Sequence, residues 1–222
     1  MKRILEPELM DTAVQARAYA KADFSAPHQS YVELFDKVFP QRPAKATVLD
    51  LGCGPADVTI RFAIAHPGYT FHGVDGSAAM LRHGRLALGR YPGLRERIRL
   101  IKGYIPRARL PLASYDLILS SSFLHHLHEP QALWETVRGF AKKGTLVFVV
   151  DLFRPASRPA ANVLVKKYAS GEPDVLRRDF FNSLCASFVP AEVEAQLREA
   201  GLTKLRVKTV SDRHLMVWGT RG

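Results

Sequence analysis

Short apolar runs recur through the middle of this chain, each followed by a longer mixed segment. Residues 47–51 (TVLDL) read as a buried strand, and residues 57–65 as a helix that Pro67 and Gly68 stop. The pattern repeats: a strand at 69–74, a helix at 77–88, strands at 98–101 and 115–120, a helix at 130–141 and a strand at 145–150. Pro130 suits a first helical turn, and Gly144 is placed to end that helix. Near-continuous apolar strands separated by helices predict a parallel sheet covered on both faces.

The flanks have a different texture. Residues 12–23 and 29–39 are amphipathic, and Pro40 and Pro43 close them before the first strand. Residues 1–44 therefore read as a helical lid on a main unit of residues 45–222. Residues 152–189 interrupt the alternation, with Pro155, Pro159 and Pro173 as breaks, and read as a cap inserted after the fifth strand. A helix at 191–200 and a closing hairpin, 205–210 with 215–219, complete the chain.

Composition narrows the class. The chain has 222 residues, 47% of them apolar and 24% charged, which is ordinary globular usage. No apolar run approaches the roughly 20 residues of a membrane span. Two cysteines, Cys53 and Cys185, are too few for a disulfide scaffold, and the N-terminal residues lack the apolar stretch of a secretory signal. The expectation is a cytoplasmic protein. The net charge of +11 is concentrated: residues 82–109 carry nine arginines and lysines against the single acid Glu96. Such a window is either a nucleic-acid or anion-steering surface or a solvated helix and loop, and the second is the plainer alternative.

Candidate chemistry begins where the first strand meets a glycine turn, Asp50-Leu51-Gly52-Cys53-Gly54, that opens a helix. A dinucleotide fingerprint would need a third glycine where Asp57 stands, and an acid there would face a pyrophosphate. Asp50 and Asp57 around the loop suit a cationic or zwitterionic ligand better. Asp75, at the tip of the second strand, is placed to accept hydrogen bonds from ribose hydroxyls or to cap the helix that follows.

The runs VLDLGCGPADVTI, VDGSAAML and YDLILSSSFLHHL, in that order, resemble the class I S-adenosylmethionine-dependent methyltransferases over roughly residues 45–151. The resemblance implies a doubly wound, Rossmann-like α/β fold whose seven-stranded sheet has an antiparallel last strand. It implies S-adenosyl-L-methionine lying across the strand ends. Asp50 and the loop of Gly52, Cys53 and Gly54 would hold its amino-acid part, and Asp75 its ribose. Gly76 or Met80 would touch the adenine. The family often has an aspartate after strand three; here Tyr104 or Ile105 would replace that contact.

The fourth strand ends near Ser120, a candidate donor contact, and runs into His125, His126 and His128, beside the donor region. His125 and His126 are candidates for a general base or an acceptor contact, set against packing alone. His128 reads as a surface residue. No metal is expected, because adjacent histidines should point to different sides. Asp151, at the end of the fifth strand, joins the catalytic candidates. The turn 211–214 should lie on the same side if the sixth strand is parallel to the first. Tyr168, Arg177, Arg178, Phe180, Phe181 and Asn182 of the insertion would clamp a planar or anionic acceptor or form a satellite core. Tyr19, Phe24 and His28 would fold over the site, with Tyr19 a candidate donor contact. The function expected is methyl transfer to a small-molecule acceptor by direct displacement. The alternatives are an RNA methyltransferase using the 82–109 surface and a non-catalytic donor-binding subunit.

Overall fold

A computed structural model describes all 222 residues. Helices α1 (Ala13–Lys21) and α2 (Ser25–Val38) precede an alternating core: β1 (Ala46–Leu51), α3 (Asp57–Ala65), β2 (Tyr69–Asp75), α4 (Ala78–Leu88), β3 (Ile98–Lys102), β4 (Tyr115–Ser121), α5 (Gln131–Phe140) and β5 (Ala141–Leu152). Then come α6 (Arg158–Ala169), α7 (Asp174–Ala186), α8 (Pro190–Glu199) and the hairpin β6 (Arg206–Thr209) and β7 (His214–Thr220). The sheet order is β3-β2-β1-β4-β5-β7-β6. Strand pairs from β3 to β5 are parallel, and β7 is antiparallel to both its neighbours. This is the doubly wound seven-stranded architecture.

Alternating side chains on each strand build two cores. Val48, Leu117, Leu119, Phe148 and Val150 face α2 and α3 on one side. Leu49, Ile118, Val147 and Val149 face α5 and α8 on the other. Phe35 of α2 is fully buried against Phe62 and Phe148, so α2 is part of the main core and not only a cover over it. Burying a side chain of that size is worth about 2–3 kcal/mol. Local chemistry sets several helix starts. Thr12, Ser77 and Ser157 each accept a backbone N–H of the first turn they cap, from Gln15, Met80 and Ala160.

One element boundary departs from the sequence pattern. Gly144 does not end the α5 helix; it lies inside β5, which begins at Ala141. Its φ of +89° coincides with a break in the β4–β5 register between Tyr115 and Leu117. The glycine absorbs a bulge that a side chain at this φ would resist.

The order β3-β2-β1-β4-β5 places a switch point between β1 and β4. The chain leaves β1 for β2 on one side and returns as β4 on the other. A crevice therefore opens beyond the C-terminal ends of these strands, the usual ligand position in open α/β sheets.

Candidate active site

A cavity of about 470 Å³ occupies that crevice. This is within the size range of sites for cofactors and small ligands. Its floor is the turn after β1. Gly52 (φ +72°) and Gly54 (φ +52°) adopt left-handed conformations, and a Cβ on Gly52 would fall 2.2 Å from the Phe123 ring. A Cβ on Gly54 would meet nothing within 4 Å. The backbone at Gly54 is therefore bare at the cavity wall. Ala56 and Ser122, neither of them glycine, also have positive φ. They lie at the ends of the β1 turn and of β4.

Asp75 borders the turn. Its Oδ2 accepts the Gly54 N–H at 2.8 Å and its Oδ1 the Ser77 N–H at 2.7 Å. Each oxygen keeps a second lone pair. Burial raises the pKa of Asp75, against those two hydrogen bonds. Gly76, Met80 and Cys53 line the same end. The helix cap itself is Ser77, not Asp75.

A file of rings forms another wall. Tyr19, Phe24, His28, Tyr31 and His214 follow one another with centroid spacings of 4.7, 5.3, 5.6 and 5.6 Å. All five line the cavity. His28 Nδ1 is 2.7 Å from Asp57 Oδ2, and Arg61 donates to the same oxygen. Burial pushes the Asp57 pKa up, but these bonds outweigh it and leave the carboxyl below its usual range. Asp57 is thus committed to partners within the protein. His214 Nε2 meets the Tyr31 hydroxyl at 3.1 Å, and its Nδ1 meets the Ser211 hydroxyl at 3.1 Å. Burial, then Arg213, lowers the His214 pKa to about 4, so the ring is neutral near pH 7. Burial pushes the Tyr31 phenol up to about 12.

The third wall is the turn after β4. Asp151, 1% exposed, accepts the backbone N–H groups of Phe123, Leu124 and Leu152. Its Oδ1 also lies 2.5 Å from His125 Nδ1. Burial raises the Asp151 pKa, but His125 and the backbone donors outweigh it and hold the carboxyl below the usual range. Burial lowers the His125 pKa, and Asp151 with Glu6 reverses that, leaving it raised. Burial, then His125, lowers His126 to about 3. Residues 124–126 form one 3-10 turn, which brings the two rings to 4.2 Å between centroids, tilted by 35°, instead of pointing them to different sides. Glu6 closes over both. Arg3 holds the turn from outside by donating to the carbonyls of His125 and Leu127.

The residues singled out from the sequence fall into two groups. Gly52, Cys53, Gly54, Asp75, Gly76, Met80, Tyr19, His125 and His126 line the cavity. Asp50, Ser120, Tyr104, Ile105 and Asp151 do not. Asp50 is buried behind the loop, with Oδ2 accepting from Thr59 at 2.5 Å and Oδ1 unpartnered. Burial, offset in part by Thr59, raises its pKa to about 7. The Ser120 hydroxyl donates to the Leu51 carbonyl between strands. Tyr104 is exposed, and its ring backs Gly76 from outside. Ile105 packs on the α5–α8 core. Asp151 orients His125 from the second row.

In the insertion, Tyr168 and Phe180 reach the cavity. Arg177, Arg178, Phe181 and Asn182 do not, and Phe181 belongs to a satellite core with Leu152 and Leu184. The 211–214 turn contributes Arg213, whose guanidinium lies 3.4 Å over the Tyr168 ring. His128 is exposed. None of the basic residues of 82–109 lines the cavity. Arg97 instead donates to the carbonyls of Ala63, His66 and Tyr69 around the end of α3. The sequence reading missed Glu6, Tyr31 and Ser183, and the only local signal was the amphipathic pattern of residues 29–39 that contains Tyr31.

Residues 49–147, the span from β1 into β5, match a family model described as a methyltransferase domain. An uncharacterised methyltransferase of Mycobacterium tuberculosis strain H37Rv is 27% identical over 168 residues, 76% of this chain and 81% of the relative. Both findings agree with the methyltransferase resemblance carried by the glycine turn, the Asp75 strand tip and the β4 exit. The methyltransferase fold is shared with a putative S-adenosyl-L-methionine-dependent methyltransferase from Methanococcus maripaludis, with a TM-score of 0.72 and 16% identity over 100% of this chain and 98% of that one. It is also shared with the plantazolicin methyltransferase BpumL, solved with SAH and a desmethylPZN analog, with a TM-score of 0.67 and 14% identity over 94% and 90% of the two chains. These neighbours are named S-adenosylmethionine-dependent or were solved with SAH, the demethylated form of that donor. The bare Gly54 backbone and the spare lone pairs of Asp75 lie on the cavity wall and fit such a donor; Asp50, behind the loop, does not reach it.

Proposed function

We propose that the chain transfers a methyl group from S-adenosylmethionine to a small-molecule acceptor held in the same cavity as the donor. One observation carries this reading. The cavity of about 470 Å³ is lined both by the glycine turn and by a second set of polar side chains, Tyr31, His125, His126 and His214. Residues 1–44 act as a lid and α6–α7 as a cap, each giving the cavity one wall. When bound, the donor supplies a methyl group on a positively charged sulfur, open to displacement by a nucleophile in line.

The chain's own residues bind, orient and exclude water. Asp75 receives the ribose hydroxyls on its free lone pairs. The backbone of Gly52 and Gly54 carries the amino-acid part, and Gly76 and Met80 flank the adenine. Tyr19 and Phe24 close that end. At the far end, the neutral His214 holds the Tyr31 hydroxyl in a fixed orientation for hydrogen bonding to the acceptor. Fixing two reactants in line replaces much of the entropy a bimolecular displacement must lose. No proton acceptor is required unless the acceptor loses a proton on methylation.

The small-molecule reading is supported by the walls that α1–α2 and α6–α7 give the cavity and by the neighbour BpumL, solved with a desmethylPZN analog. The basic 82–109 surface supports the RNA alternative less, because its arginines lie on the outer strand β3 and around α4, away from the cavity. The test is incubation of the purified chain with methyl-deuterated donor and a mixed cell extract, followed by mass spectrometry of separate small-molecule and RNA fractions. Label in the small-molecule fraction is expected. Label confined to RNA would overturn the reading, and no label in any fraction would favour the non-catalytic alternative.

A further inference from the structure

We infer that Glu6, His125 and His126 form a divalent metal site bordering the cavity, with zinc the ion whose coordination fits best. Each offers one ligand atom, and the three atoms lie within 4.8 Å of one another. Glu6 Oε1 is 3.6 Å from His125 Nε2 and 3.2 Å from His126 Nδ1. Ligand bonds of about 2.0–2.1 Å at tetrahedral angles put neighbouring donor atoms about 3.3 Å apart.

The hydrogen-bond inventory leaves this point short of a cation. Asp151 accepts, so His125 Nδ1 carries the proton between them, and in the neutral ring Nε2 presents a lone pair to Glu6. Glu6 Oε1 and His126 Nδ1 are both buried and have no hydrogen-bond partner. The Glu6 side chain is 8% exposed. A carboxylate oxygen and two imidazole nitrogens thus converge with nothing between them. A proton on His126 Nδ1 would pair that ring with Glu6 Oε1 at 3.2 Å but leave the His125 Nε2 lone pair facing the same carboxylate at 3.6 Å. A divalent ion satisfies all three.

The supporting row is also present. A metal-bound histidine usually donates its other N–H to a carboxylate, which fixes the ring and strengthens the ligand. Asp151 does this for His125. Ser183 donates to the second oxygen of Glu6 at 3.2 Å. Two histidines and one carboxylate are a ligand set typical of sites that keep a fourth position open. His125, His126 and Ser183 all line the cavity. The open position therefore falls to water or to an oxygen or sulfur atom of a cavity ligand. The inference does not rest on the identity of the methyl acceptor.

The test is a titration of the chelator-stripped full-length chain with Co²⁺, read by visible absorption, followed by displacement with Zn²⁺. One Co²⁺ per chain with the intense bands of a tetrahedral site, bleached by Zn²⁺, is expected. Glu6→Gln preserves shape and should weaken binding at least 100-fold, and Asp151→Asn by about 10–100-fold. His83→Ala, on α4, should change nothing. Circular dichroism reports whether each variant is folded, and donor affinity is measured in parallel, so failure here is separable from failure of the functional reading. No tetrahedral bands in the wild-type chain, or undiminished bands in folded Glu6→Gln, would overturn the site.

Discussion

The two ends of the cavity are built in different ways. The end proposed for the donor is local: one strand–turn–helix (β1 to α3) and the tip of the next strand supply Gly52, Gly54 and Asp75. The far end is assembled from side chains distant in sequence. Glu6 meets His125 and His126, Tyr31 meets His214, and Asp151 holds the turn between them. A donor common to many enzymes can be held by a short, repeated backbone device. An acceptor particular to one enzyme needs side chains that the sheet brings together from separate loops.

The contrast can be broken most severely at Asp50. Its folded pKa of about 7 lies above the unfolded value of about 3.9. The folded state binds the extra proton, so stability is full below pH 4 and is lost as pH rises through 7. The difference between wild type and Asp50→Asn in chemical denaturation should therefore shift by a few kcal/mol, in favour of the variant, from pH 4 to pH 8. A flat difference would mean that the buried carboxyl is ionised throughout.

Next in size is Asp75→Ala. It removes the acceptor for the ribose and frees two backbone N–H groups. Donor affinity should fall about 100-fold or more by calorimetry, a loss on the order of 3 kcal/mol. The opposite end should behave in the opposite sense. Tyr31→Phe should lower kcat about tenfold with donor Kd unchanged, since the phenol lies among the acceptor groups. Loss of donor affinity in Tyr31→Phe would erase the division between the ends.

The smallest effect is expected on the outer edge. Arg95 and Arg99 are exposed and line nothing. Their joint replacement by glutamine should leave turnover and stability within error. Arg97→Gln should cost about 1–3 kcal/mol of stability, because three helix-end and loop carbonyls lose a charged donor. Neutral treatment of all three arginines alike would contradict the assignment of Arg97 to the α3 terminus.

The strand–helix alternation and the glycine turn were legible because each is written in contiguous residues, whereas the seven-stranded sheet with its antiparallel last strand was implied by the family resemblance alone. The β5 start was not, because a glycine after a helix and a glycine in a bulge look the same until the partner strand is known. Asp50 and Ser120 were legible as polar residues near the turn, but not as buried ones. Strand alternation sends them behind the loop, where Thr59 and the Leu51 carbonyl take them up. Glu6 was not legible at all. It sits in an irregular segment, and only the long-range pairing of Ile4 with Cys185 and the grip of Arg3 bring it to the histidines. Adjacent histidines also escaped reading, since strand geometry separates neighbouring side chains and a 3-10 turn gathers them.

The division into a donor end and an acceptor end is tested most directly by a crystal structure of the chain with S-adenosylhomocysteine. Both ribose hydroxyls are expected on the Asp75 carboxylate, the amino-acid part on the Gly52–Gly54 turn, and the sulfur facing Tyr31, His125 and His214. The product bound with its ribose away from Asp75, or filling the space between Tyr31 and His125, would contradict it.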